Sequence, residues 1–194
     1  MPYAPQQKQE TRERIVRAAR RLFNRKGFAE VTIDEIMTEA GLTRGGFYRH
    51  FKTKDELYSE ALSQFLCNKK PEEWQRKHVN LCADGATLAR MIMDAYLSKD
   101  HLDDRDGSCP TVALPSDVSR SGVPVKRAFR IVVEMMLEVF GGALPGPDAR
   151  ERALALVSLC VGAMAVARAV DDPDLADALR IAARKHVIAS TGWT

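Results

Sequence analysis

The chain lacks any convincing run of alternating apolar and polar residues, so strands are not expected, and its hydrophobic spacing is helical almost everywhere. No apolar run approaches the ~20 residues needed to span a bilayer. The opening MPYAPQQKQETRERIV also lacks the apolar core of a secretory signal. The expectation is a cytoplasmic protein with no membrane role. The four cysteines, Cys67, Cys82, Cys109 and Cys160, form no CxxC pair and are not spaced with histidine as zinc ligands. Three of them sit in or beside apolar stretches, where Cys behaves as a small hydrophobe, and free thiols are expected. His50, His78, His101 and His186 build no HExxH, and no nucleophile motif, paired-carboxylate helix motif or phosphate loop appears. These absences argue against an enzyme, a metal site and a cofactor. Internal repeats and low-complexity tracts are missing too.

What is present is a chain of 194 residues, 45% hydrophobic and 28% charged, enough to bury a real core. The net charge of +3 is unevenly spread. Residues 1–57 carry 12 Lys and Arg against 8 Asp and Glu, whereas residues 58–194 carry 17 against 18. A basic head on a near-neutral body suits a polyanion-binding module with another task behind it.

The spacing predicts a first helix over about Gln9–Lys26, with Ile15, Ala19, Leu22 and Phe23 as one apolar stripe and Arg14, Arg17, Arg21 and Arg25 on another face. Gly27 supplies its stop. A second helix starts at Thr32, where Glu35 completes a capping box, and ends at Gly41. Thr43 is placed to cap a third. Thr53 and Glu56 form a second capping box that opens a fourth helix with an apolar stripe of Leu57, Ala61, Leu62, Phe65 and Leu66. Further helices are expected near 72–81, 84–98 and 110–119, with 99–107 as a charged loop. From Val123 to Phe140 apolar residues wrap most of the helix, which predicts a largely buried element. The segment 148–170 is rich in Ala and Gly and apolar on two sides, and a last helix starts near Pro173. The fold class is therefore all-α, with a three-helix N-terminal domain over 1–57 and a larger helical domain over 58–194, about nine helices in total.

Residues 43–54 carry Arg44, Arg49, Lys52, Lys54 and His50, and no acid. Phe47 and Phe51, four apart, should pack inward against Ile36 and the first helix. Arg44 and Tyr48 form another such pair, rotated about 100° away and facing outward. Gly45-Gly46 costs a helix about 1 kcal/mol per Gly relative to Ala, but lets backbone approach a groove closely. This is how a helix is laid in the major groove of DNA. Arg44 is best placed for a guanine edge. Tyr48, Arg49, His50 and Lys54 can clamp phosphates. Thr32, Thr43, Gly45 and Gly46 complete the candidate DNA-binding set.

Residues 10–57 resemble the N-terminal domain of the TetR family of transcriptional regulators, whose helix-turn-helix ends in a similar Thr-x-Gly-x-x-Tyr-x-His-Phe-Lys-x-Lys run. Here that run is Thr43, Gly45, Tyr48, His50, Phe51, Lys52 and Lys54, without a gap. The resemblance covers about a quarter of the chain. It implies a homodimer through the last two helices, about 148–170 and 173–190, on palindromic double-stranded DNA. It also implies a small effector in a cavity of each larger domain that releases the operator. A dimer is what such readers need to span half-sites ~34 Å apart.

Side chains suited to a hydrophobic effector pocket are Trp74, Met91, Tyr96, Cys109, Phe129, Met136, Cys160 and Met164. Methionines and aromatics at helical spacing equally suit plain core. Cys109, before Pro110 at an expected helix start, is also a candidate for oxidant or electrophile sensing, because a helix N-terminus lowers a thiol pKa. Alternatives to a ligand-released repressor are a non-specific DNA-binding protein and a small helical enzyme.

Overall fold

A computed structural model describes residues 5–67 and 77–193; Trp74 and residues 72–76 of the expected 72–81 helix lie outside them. Among the described residues the architecture is all-helical. The elements are α1 (Pro5–Glu30), α2 (Ile33–Glu39), a 3₁₀ segment (Arg44–Arg49), α3 (Lys54–Cys67), α4 (Gly85–Tyr96), α5 (Lys99–Asp103), α6 (Pro110–Ala113), α7 (Pro115–Arg120), α8 (Val123–Gly142), α9 (Ala149–Ala169) and α10 (Pro173–Thr191).

Two compact units emerge from the packing: residues 1–67 with 105–132, and residues 68–104 with 133–194. The unit that holds the N-terminal helices is thus wider than the 1–57 read from the motif. In its core, Ile15, Ala19, Ile36, Phe47, Phe51, Leu57 and Leu62 join Leu114, Val118, Val125 and Ala128 in one apolar cluster. Burying a Leu, Ile or Phe side chain contributes about 1.5–3 kcal/mol, so segment 110–128 and α1–α3 hold each other in place. The expected 110–119 helix is broken in two, because Pro115 cannot donate to a continuing ladder.

In α1 the stop at Gly27 appears as a kink, with φ 79° and ψ 169°, a conformation that side chains other than glycine avoid. The third element is six residues of 3₁₀ helix rather than an α-helix. Thr43 occupies its N-cap position without a side-chain capping bond. Two adjacent glycines weaken α-helix propagation there. The amide of Gly46 instead donates to the Thr43 carbonyl at 3.0 Å and that of His50 to Phe47 at 2.9 Å.

The second unit contains α4, α5, α9 and α10. The charged stretch read as a loop holds a short helix, α5, because the Ser98 hydroxyl caps the His101 amide at 3.1 Å. His101 itself is buried, its Nδ1 2.6 Å from the Tyr96 carbonyl. Residues 77–81 are turn and not helix, with His78 at φ 57°. Arg184 and Arg90 both grip Asp94 at 2.7 Å, tying α10 to α4.

The α8 helix, which runs from the first unit into the second, is less buried than its composition suggests: Val123, Ile131 and Met135 are exposed. By length and composition α9 could cross a membrane, which departs from the sequence expectation of no such run. Here its Leu156, Val157, Cys160 and Met164 are buried, and it packs along α10.

Candidate nucleic-acid interface

The helix-turn-helix is held by bonds that the sequence partly foretells. At α2 the Glu35 amide donates to the Thr32 hydroxyl at 3.2 Å, and the Thr32 amide donates to the Glu35 carboxylate at 2.8 Å, the reciprocal capping box. With Lys26 also donating to it at 2.7 Å, Glu35 is pulled down to about 2. The turn passes through Gly41 at φ 66°, where the Leu42 amide reaches the Met37 carbonyl at 2.8 Å. Arg14 donates to the Ala40 carbonyl at 2.6 Å, so α1 caps the C-terminal end of α2.

Behind the 3₁₀ segment, Phe47 and Phe51 are fully buried with ring centroids 5.7 Å apart. Arg12 lies 4.0 Å over the Phe51 ring, donates from Nε to both Glu60 oxygens at 3.1 Å, and donates from Nη1 to the His50 carbonyl. This one guanidinium fastens α1, α3 and the end of the recognition segment together.

The outer face carries Arg44 and Tyr48. Tyr48 is 61% exposed, with its ring edge-on to Phe47 at 5.3 Å. The Arg44 side chain is 65% exposed and pairs with Asp34 at 2.8 Å. So exposed a pair contributes little, and its guanidinium can exchange the carboxylate for a nucleic-acid acceptor at small cost. Beside it Gly45 faces open space, whereas a Cβ at Gly46 would come within 3.4 Å of the Met37 methyl. Gly45 thus presents bare backbone outward, while Gly46 is partly covered by α2.

A cleft of about 750 Å³ runs between the N-terminal turns of α1 and this segment, lined by Lys8, Thr11, Thr43, Gly45, Gly46, Arg49 and His50. Lys8 and Thr11 were not singled out from sequence, where nothing marks one exposed lysine of a long helix. Burial, together with the charges of Arg12, Lys8 and Arg49, holds His50 below its ordinary value. Its imidazole therefore enters this cationic cleft mainly neutral near pH 7.

Lys54, expected from the sequence to clamp phosphate, points inward. Its ammonium donates to the carbonyls of Phe28 at 2.7 Å and Val31 at 2.8 Å, and sits 4.2 Å over the Phe28 ring. Partial burial lowers its pKa. The side chain turns inward to hold the α1–α2 junction.

The second capping box is also only half formed. The Glu56 amide donates to the Thr53 hydroxyl at 3.0 Å, but the Glu56 carboxylate accepts from the Lys52 amide at 2.7 Å.

The expected pocket residues fall in both packing units. Cys109 and Phe129 belong to the first packing unit, and Met91, Tyr96, Met136, Cys160 and Met164 to the second. In the second unit Met91 lines a cleft of about 250 Å³ with Lys77, His78, Asp94, Ala95, Ser98 and Asp100. Cys160 and Met164 are fully buried, and burial pushes the Cys160 thiol up to about 12. Cys109 is buried and accepts a hydrogen bond from the Thr111 hydroxyl at 3.1 Å.

Comparison with known proteins places this geometry. The family described as bacterial regulatory proteins, tetR family, matches residues 15–61. Over 74 residues the chain is 42% identical to the transcriptional regulator AcrR of Shigella flexneri, covering 37% of this chain and 34% of AcrR. Over 54 residues it is 46% identical to TtgR of Pseudomonas putida, covering 28% and 26%. The matched stretch spans a fifth to a third of the curated relatives' length. The fold extends much further. A TetR transcriptional regulator from Chloroflexus aurantiacus superposes with a TM-score of 0.73 at 23% identity, over 96% of this chain and 98% of that one. Another from Agrobacterium tumefaciens gives 0.72 at 19%, over 92% and 98%. The helix-turn-helix over residues 15–61 is therefore a domain of the tetR family of bacterial regulatory proteins.

Proposed function

We propose that the chain is a homodimeric, sequence-specific repressor in the cytoplasm, released from a palindromic operator by a small hydrophobic effector. Residues 1–57 carry the DNA contacts and 58–194 carry effector binding and dimerisation. The observation that carries the reading is the outward pair Arg44 and Tyr48, set on the buried Phe47 and Phe51, in a stretch with no acid from 43 to 54. Arg44 reads a base edge, and Gly45 lets the backbone come close. Thr43, Arg49 and His50, with Lys8 and Thr11 across the cleft, take phosphates.

A dimer suits the outer faces of the last two helices. Leu154, Gly162 and Val166 on α9 and Leu175 and Ile181 on α10 are exposed, and a Cβ at Gly162 would meet nothing within 4 Å. Large exposed apolar residues on both helices favour a partner of the same kind. The effector half of the reading draws on the family, and the side chains offered for it are Met91, Tyr96, Met136, Cys160 and Met164 of the second unit.

The test is fluorescence anisotropy with a palindromic duplex selected by the protein from a random library, set against an unselected duplex. A repressor of this type prefers the selected duplex by roughly a thousandfold or more at physiological salt, and its affinity falls steeply with salt. Equal affinity for both duplexes supports the alternative of non-specific DNA coating.

A further inference from the structure

Phe28, just after the kink in α1, is gripped from three sides. The Asp117 carboxylate on α7 accepts its amide at 3.0 Å. Lys54, the first residue of α3, donates to its carbonyl at 2.7 Å and to that of Val31 at 2.8 Å. Its ring stacks on Tyr58 of α3 at 4.6 Å with an interplanar angle of 16°, and meets Phe23 of α1 at 5.6 Å. The kink makes room for this arrangement, because a Cβ at Gly27 would lie 2.7 Å from the Asp117 oxygen. Asp117 is itself oriented, since Arg120 donates to its other oxygen at 2.9 Å. The Asp117 side chain is only 16% exposed.

We infer that Asp117 is a positioning residue for DNA binding: through Phe28 and Lys54 it sets the two helices of the reader from outside the motif. The physical chain is short. Residues 28–31, the end of α1 beyond its kink, lead directly into Thr32, the cap of α2. Lys54 follows the recognition segment by five residues and anchors its C-terminal side to that same stretch. Asp117 therefore fixes one junction from which both helices of the reader are hung. Without the carboxylate, the Phe28 amide loses its charged acceptor in a half-buried site, where replacement by water is poor. Asp117 lies on a segment more than fifty residues beyond the reader, so it acts on the reader without touching DNA. The consequence for DNA affinity rests on the DNA-binding reading above; the mechanical one does not.

The test compares Asp117→Ala and Asp117→Asn in the full chain, the latter keeping an oxygen for the Phe28 amide. The first readout is amide hydrogen exchange of residues 44–51 in DNA-free protein. Exchange there is expected to accelerate at least tenfold in Asp117→Ala, with most of that loss recovered in Asp117→Asn. The second is affinity for the selected duplex, expected to fall at least tenfold in Asp117→Ala with the slope of affinity against salt unchanged, since no phosphate contact is removed. Exchange within twofold of wild type in Asp117→Ala overturns the inference, as does an Asp117→Asn protein that exchanges as fast as Asp117→Ala. If exchange responds as expected but the wild-type protein does not prefer the selected duplex, the positioning role stands and the repressor reading fails.

Discussion

The arginines of α1 and the cations of residues 43–54 look alike along the sequence, and the folded protein uses them in opposite ways. On α1, Arg12 binds Glu60 and the His50 carbonyl, Arg14 caps α2, and Arg25 pairs with Asp106. Arg21 is 3.8 Å from Glu39. In the recognition segment, Arg44 stands outward in a pair that is mostly solvated. A basic stripe therefore does not identify a DNA-facing surface. What identifies it is which cations are left without inward partners. Lys54 makes the point within the motif itself, because it matches the family's run and yet points into the fold.

Four substitutions probe this division, from the largest expected effect to the smallest. Arg12→Ala should be the most damaging, since it frees a half-buried Glu60, the His50 carbonyl and the Phe51 face together. A loss of about 2–4 kcal/mol in stability is expected, read by urea melts. DNA affinity should fall only as the folded fraction falls. Arg44→Ala should do the reverse. Its stability stays within about 0.5 kcal/mol of wild type, while discrimination between selected and unselected duplex drops by about 1–3 kcal/mol. An Arg44→Ala protein that keeps full discrimination would remove this residue as the reader.

Lys54→Met should cost about 1–2 kcal/mol of stability by leaving two carbonyls unpaired, with the salt slope of binding unaltered. Arg49→Ala should leave stability alone and lower that slope by about one. If the two exchange signatures, Lys54 is a phosphate contact after all.

The smallest effect is a pH dependence through His50. Because burial and neighbouring cations hold its folded pKa below the ordinary histidine value, the unfolded chain takes up the proton first. As pH falls through ~6.5, the native state loses stability relative to the unfolded one, and above that range the group contributes no pH dependence. Thermal melts of wild type and His50→Asn between pH 5 and 8 should diverge only at the acid end. Parallel curves would exclude His50 as the source.

Local chemistry was legible in the sequence and long-range packing was not. The Thr32–Glu35 box and the inward Phe47 and Phe51 depend on spacings of three or four residues, and each is found where the spacing puts it. The 3₁₀ form of residues 44–49 escaped because apolar spacing over six residues does not separate it from an α-helix. Helix α5 escaped because a Ser cap and a buried His101 are hidden in a run of charges. The grip of Asp117 on Phe28 and of Asn24 on the Ser108 carbonyl at 3.0 Å joins residues more than eighty positions apart, which no periodicity records. The pocket candidates were not separable from plain core for a related reason. Methionines and aromatics mark core and cavity alike, and their distribution over two packing units is a property of the tertiary structure.

The central claim is that Arg44 and Tyr48 read DNA while the α1 arginines and Lys54 hold the reader in shape. Its most direct test is anisotropy titration of Arg44→Ala against selected and unselected duplexes at matched salt. The account predicts that affinity for the selected duplex falls toward that for the unselected one, which changes little. An equal loss on both duplexes, or no loss on either, would contradict it.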